Sequence, residues 1–187
     1  MICFLALRGA WAALVLVWLV GAAYAKPQQR ATGPLARTAS FAAILLGFFL
    51  VGSDWGPAWL SGPPLLGRPW APCAGAALTV LGCAFAIWAR LALGSNWSGR
   101  PTVKVNHELV MEGPYALTRH PIYSGILLAA IGTALADLEW RRVIGIGILM
   151  LSLLWKIRQE ERLMAETFPG SYPAYRRRVK RLVPGIF

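Results

Sequence analysis

The sequence predicts an all-α integral membrane protein, a single domain over residues 1–187 with about five transmembrane helices and an amphipathic helix near its C-terminal end. Three observations lead there. Hydrophobic residues make up 57% of the chain and charged residues only 14%, a balance suited to a bilayer. The apolar residues gather into five segments, near 9–25, 35–53, 71–89, 121–136 and 143–155. The basic residues then sort by side. Lys26, Arg30 and Arg37, then Arg90, Arg100, Lys104 and Arg119, then Lys156, Arg158, Arg162, Arg176, Arg177, Arg178, Lys180 and Arg181 share one side of a five-span arrangement, leaving only Arg8, Arg68, Arg141 and Arg142 on the other. The positive-inside rule places the C-terminus in the cytoplasm, and in a bacterium that means the inner membrane. The net charge of +11 serves this topology and attraction to anionic membrane lipids. No basic motif interleaved with aromatics is present, so nucleic acid is not expected as a partner.

The first three segments are long enough to span, at ~17–25 residues. The first also imitates a secretory signal, with Arg8 before the apolar run and Ala23-Tyr24-Ala25 after it. It reads as a retained span, because the residues before Arg8 are themselves apolar and Lys26, Arg30 and Arg37 follow. The stretch Asp54–Trp70, with Trp55, Trp59 and Trp70, reads as an interfacial belt. The third span carries Gly75, Ala76, Ala77, Gly82 and Ala84, which allow close helix approach. The fourth span is marginal in length. The fifth is short, so it extends by snorkelling Arg141, Arg142 and Lys156 or dips without crossing. Past Trp155 it continues as a helix through Lys156, Arg158, Glu160, Glu161 and Met164, with Ser152, Lys156 and Glu160 on one face. Cys3, Cys73 and Cys83 have no CxxC spacing and are odd in number, so they read as packing residues, with no disulfide framework or metal site.

The chemistry concentrates in Gly113-Pro-Tyr-Ala-Leu-Thr-Arg119-His120-Pro121-Ile-Tyr123-Ser-Gly125, directly before the fourth span. Polar and cationic groups at a membrane boundary are expensive unless they bind something. Pro121 suits the first helical position. The N–H groups of Ile122, Tyr123 and Ser124 then offer a seat for an anionic group at the positive end of the helix dipole. Taken singly, His107 reads as a surface or capping histidine, Tyr115 and Tyr123 as interfacial anchors, and Glu160 and Glu161 as a solvated face paired with Lys156 and Arg158.

Taken together, the ordered blocks resemble the isoprenylcysteine carboxyl methyltransferase family and, more distantly, the phospholipid N-methyltransferases. They are Gly94-x-Asn96-Trp97-Ser98, His107-x-Leu109-Val110, Gly113-Pro114-Tyr115, Arg119-His120-Pro121-x-Tyr123-x-Gly125, Glu160-Glu161-x-x-Met164 with Phe168, Tyr172 and Tyr175, and Leu182-Val183-Pro184. The resemblance covers residues 94–184. It implies a small multi-span membrane enzyme with a cytoplasmic site for S-adenosylmethionine and no Rossmann domain. The chain agrees in having no GxGxxG after a strand; Gly145-Ile-Gly147 reads as packing. Carried over by position, the cofactor site would be His107, Glu108, Leu109, Val110, Tyr115, His120, Pro121, Ile122, Tyr123 and Glu160. Where the family has an arginine for the substrate carboxylate, this chain has Lys156, a point charge in place of a bidentate fork.

The implied reaction is methyl transfer to a lipidic small molecule or lipidated peptide, with carboxyl O-methylation of an isoprenylcysteine-like acceptor as the leading expectation. Lys156, Arg119 and His120 are the candidate catalytic residues, Arg119 and Lys156 supplying positive potential. An amphipathic acceptor would enter from the bilayer between the third and fourth spans. Three rivals have different signatures. A phospholipid N-methyltransferase needs a base for its amine. An NADPH-dependent sterol-type reductase carries Asn where this chain has Ile122. A non-enzymatic membrane adaptor leaves the polar motif without a use.

Overall fold

A computed structural model describes residues 1–23, 28–31, 34–53, 68–94, 97, 102–104, 109–137 and 139–187. In chain order the elements are α1 (Ile2–Ala23), β1 (Gln28–Ala31), α2 (Pro34–Gly52), α3 (Ala71–Leu93), β2 (Thr102–Lys104), α4 (Pro114–Leu117), α5 (Pro121–Ala136), α6 (Trp140–Thr167) and α7 (Tyr172–Arg178). The five apolar segments correspond to α1, α2, α3, α5 and α6. Two of these helices, Ile2–Ala23 and Ala71–Leu93, are long and apolar enough to cross a membrane by themselves. Large apolar side chains such as Leu16, Leu19, Phe41, Leu45, Leu81 and Leu151 point outward, a surface that water would not favour and a bilayer would cover.

The fold is not purely helical. β1 and β2 form a short antiparallel ribbon with Gln28 opposite Lys104, Arg30 opposite Val103 and Ala31 opposite Thr102. Two polar connections at the same end of the bundle lie side by side there, and pairing satisfies their backbone groups. The fifth apolar segment is also longer in space than its hydropathy suggests. Residues 143–155 are the middle of the 28-residue α6, about 42 Å at 1.5 Å per residue.

The small residues of α3 meet small residues of α5. Gly75 and Gly82 lie two turns apart on one helix, Gly125 and Gly132 on the other. A Cβ placed on Gly75 would come within 2.5 Å of Gly132 O, and one on Gly125 within 2.6 Å of Gly82 O. The seam is backbone against backbone, as small-residue stripes allow in lipid. Between these glycines Thr79, fully buried, donates to Gly75 O at 2.9 Å. This overturns the expectation of a substrate gate between these helices, for the pair expected to part is the most tightly closed. Gly82→Val is expected to destabilise by about 1–3 kcal/mol through overpacking, whereas Gly147→Ala, whose Cβ would meet nothing within 4 Å, should not. Thermal unfolding of the two variants in one detergent checks this.

α2 packs on α6 around Val51, Leu149, Leu153 and Ile157, with Gly145 against Leu50 and Gly47. Arg141 and Arg142 do not snorkel. Both are buried. Arg141 pairs with Glu139 at 2.6 Å and donates to Ser53 O, while Arg142 pairs with Asp137 at 2.7 Å and donates to Val51 O. They satisfy carbonyls at the C-terminal end of α2, where a helix leaves acceptors unpaired and favours cations. Arg90 does the same for α1, donating to Gly21 O at 2.7 Å while its guanidinium lies 4.4 Å from the centroid of the Trp97 ring. Cys3 and Cys73 form a disulfide joining the starts of α1 and α3. It corrects the expectation of unpaired packing cysteines, which only buried Cys83 fulfils. The partners are 70 residues apart, so local spacing carried no trace of the pairing.

Candidate active site

The site is assembled where α5 begins and where α6 runs past its apolar part. Pro121 starts α5, with His120 at its N-cap. Tyr123, one turn in, donates its hydroxyl to Glu160 Oε1 at 2.6 Å. His120 stacks on the Tyr123 ring, centroids 5.7 Å apart and planes 11° from parallel. Its Nδ1 lies 3.5 Å from Glu160 Oε2 and its Nε2 3.5 Å from Glu161 Oε1. That second contact is an ion-pair distance without hydrogen-bond alignment, and Nε2 is buried with no hydrogen-bond partner among the described residues. One turn before Glu160, Lys156 places its Nζ 5.4 Å from the centroid of the Tyr123 ring, close enough for a cation–π contact.

Charge and burial compete at each group. Burial alone would lower the pKa of His120, but the Glu160 and Glu161 carboxylates beside it raise it above its ordinary value. Burial would raise Glu160; His120, Lys156 and Tyr123 reverse that and hold it below the usual carboxylate range. Glu161 is likewise held low against its burial by His120, Arg181 and Arg119. The cluster is a charged network of two carboxylates with cations in excess.

Glu161, read as part of a solvated face, is 5% exposed. Arg119 grips its Oε1 through Nε at 3.0 Å and Nη2 at 2.6 Å, and Arg181 reaches its Oε2 at 2.9 Å. The remaining Arg119 nitrogen, Nη1, donates to the carbonyls of Arg176 and Val179. Arg119 therefore fastens the C-terminal segment to the start of α5, and its guanidinium is fully engaged within the protein. The same segment takes the backbone N–H of Arg119 on Lys180 O at 2.8 Å and of His120 on Arg181 O at 3.0 Å. Leu182 O accepts from Ser124 Oγ at 2.6 Å, and Tyr175 Oη donates to Tyr115 O at 2.6 Å. Ser124 N–H, expected to be open for an anion, bonds to His120 O.

Among the other expected site residues, Tyr115 and Ile122 are buried together against Ala89, with Val110 packed on them. Pro121 is buried in the α5 start and Leu109 is half-buried. His107 and Glu108 lie outside the described residues. Sequence reading missed Arg181 as a partner of the site, and it placed Tyr175 in the ordered blocks without its bond to Tyr115. The signal in the sequence was electrostatic, since Glu161 lies among more cations than one carboxylate neighbour can balance and Arg181 belongs to the basic run Arg176–Arg181.

Fold and site define a helical membrane protein with a half-buried Tyr–Glu–His cluster at one end of its helices. Residues 75–166 match the profile of the isoprenylcysteine carboxyl methyltransferase (ICMT) family. The chain is similar to the cobalt-zinc-cadmium resistance protein CzcN of Cupriavidus metallidurans, 34% identical over 72% of this chain and 55% of that one. It is also similar to the protein-S-isoprenylcysteine O-methyltransferase of Saccharomyces cerevisiae, 35% identical over 43% of this chain and 34% of that one. The chain thus spans about half or less of these relatives' lengths. Among solved structures, the eukaryotic intramembrane Ras methyltransferase ICMT matches with a TM-score of 0.53 at 23% identity, covering 81% of this chain and 52% of the other, a likeness of fold. Among the described residues, no group of three His, Cys, Asp or Glu could hold a metal ion.

Proposed function

We propose that the protein is an S-adenosylmethionine-dependent methyltransferase that O-methylates a carboxylate carried on a lipid, an isoprenylcysteine-like acceptor. The observation that carries this reading is the half-buried Glu160, held by Tyr123 and faced by His120, within the segment that matches the ICMT family profile. The residues suit the cofactor's chemistry. Glu160 offers acceptors for an ammonium or ribose hydroxyls. His120 Nε2, buried and unpaired, and Lys156 offer donors for a carboxylate. Tyr115, Val110 and Ile122 offer an apolar bed for a base. S-adenosylmethionine supplies an electrophilic methyl group on a sulfonium.

The protein's part is to hold the acceptor in line at ~3–3.5 Å and to exclude water. A carboxylate acceptor is already ionised at pH 7 and needs no base. The engagement of Glu160 by the Tyr123 hydroxyl, with His120 facing it, supports this over an amine acceptor, because a carboxylate already held by donors is a poor base. Cytoplasmic placement of the site completes the reading. The Cys3–Cys73 disulfide at the opposite end supports that orientation, because disulfides persist in oxidising compartments.

Binding of S-adenosylmethionine and of NADPH to detergent-purified protein tests the class, and selective binding of NADPH would overturn it. For the acceptor, Lys156→Met keeps the apolar stem and removes the charge. Acceptor kcat/KM is expected to fall by roughly 10-fold or more, for a charged contact of ~1.5–3 kcal/mol, with cofactor affinity little changed. A fall in cofactor affinity instead would assign Lys156 to the cofactor.

A further inference from the structure

At the end of the bundle opposite His120 and Glu160, a cavity of about 360 Å³ opens between α1, α2, α5 and α6. Phe4 and Trp11 of α1 and Phe48 of α2 form its aromatic wall, with Trp11 and Phe48 edge to face at 5.6 Å. Trp11 is fixed by a 3.0 Å bond from Nε1 to Thr133 Oγ1, at the inner side of the cavity. Asp137 and Arg142 also line it, but they face each other, with bonds of 3.1 and 2.7 Å. Their charges cancel.

Arg8 is different. It lies in the second turn of the strongly apolar α1 and lines this cavity. Among the described residues no hydrogen bond or ion pair engages its guanidinium. Its side chain is exposed, so its charge is available to an anionic lipid headgroup. Among the described residues the cavity thus presents one uncompensated positive charge beside an aromatic wall. We propose that it holds a single anionic phospholipid of the leaflet opposite the candidate active site, with the phosphate on Arg8 and the upper part of one chain against Phe4, Trp11 and Phe48. Its volume lies at the small end of the ~300–1,000 Å³ range of ligand sites. That accommodates a phosphate and the first part of a chain, while the rest of the lipid stays in the bilayer. A water-soluble anion would forgo the aromatic wall. This site is independent of the methyltransferase reading.

Two variants separate charge from space. Arg8→Gln removes the cation. Gly52→Phe fills the cavity, because Gly52 lines it and a Cβ there would meet nothing within 4 Å. Full-length protein is reconstituted in nanodiscs of phosphatidylcholine with a minor fraction of phosphatidylglycerol, then released into detergent for native mass spectrometry. Wild type is expected to retain one phosphatidylglycerol per chain. Each variant should retain it at least 10-fold more weakly, as loss of a charge-assisted contact implies, while melting in pure phosphatidylcholine stays unchanged. If one variant fails that melting control, the other carries the test. Retention equal to wild type in the folded variants, or equal retention of phosphatidylcholine, would overturn the site. Inorganic phosphate stabilising the protein as well as phosphatidylglycerol does would overturn the lipid as its occupant.

Discussion

Glu161→Gln is expected to lower folding stability by about 3–5 kcal/mol, the usual result of removing one partner from a buried ion pair. The carboxylate is 5% exposed and holds Arg119 and Arg181 together. Gln keeps the shape but leaves two guanidinium groups facing each other across a neutral amide. Arg119 would keep neutral acceptors, the amide oxygen and the Arg176 and Val179 carbonyls, but no negative charge to balance a buried cation. The effect should spread to the C-terminal segment, which Arg119 fastens, so proteolysis around Arg176–Arg181 should accelerate as the melting midpoint falls. Combining Glu161→Gln with Arg119→Met should recover part of the loss, because the double change removes both the charge and its orphaned partner. A melting midpoint equal to wild type for Glu161→Gln would mean that the network contributes nothing to the fold.

That Glu161 and not Glu160 carries the structure could not be read from two adjacent glutamates on a helix. They lie about 100° apart, and which one faces inward depends on how α6 is rotated against α5 and the C-terminal segment. The sequence made the α5 start legible because Pro121 can begin a helix and cannot sit comfortably inside one. It also made the α3–α5 contact legible as a small-residue stripe, though closeness was mistaken for a place to open. The start of α1 was set too late, since Arg8 looked like a flank when it lies inside the helix. The disulfide and the β1–β2 ribbon join residues far apart in the chain, where local pattern has no reach. Arg141 and Arg142 looked like interfacial cations because sequence shows charge but not the unpaired carbonyls of α2 waiting for it.

Glu160→Gln should leave the fold intact and weaken S-adenosylmethionine binding by roughly 10- to 150-fold, the equivalent of a charge-assisted contact of ~1.5–3 kcal/mol. Glu160 differs from Glu161 in what it touches. It accepts one strong bond from Tyr123 at 2.6 Å and faces His120 at 3.5 Å, and no arginine grips it among the described residues. An amide oxygen can still accept from Tyr123, so packing at the α5–α6 contact survives. What disappears is the negative charge available to a ligand ammonium or hydroxyl. Glu166, exposed further along the same helix, is the proper control, because Glu161 now has a structural duty that would confound it. Tyr123→Phe separates the two aspects further, since it removes the donor while keeping the carboxylate and the ring beside Lys156. Calorimetry on folded protein should rank affinity as wild type and Glu166→Gln together, Tyr123→Phe lower, and Glu160→Gln lowest. Equal affinity for Glu160→Gln and Glu166→Gln would move the cofactor away from this carboxylate and leave the Tyr–Glu–His cluster as a brace between α5 and α6.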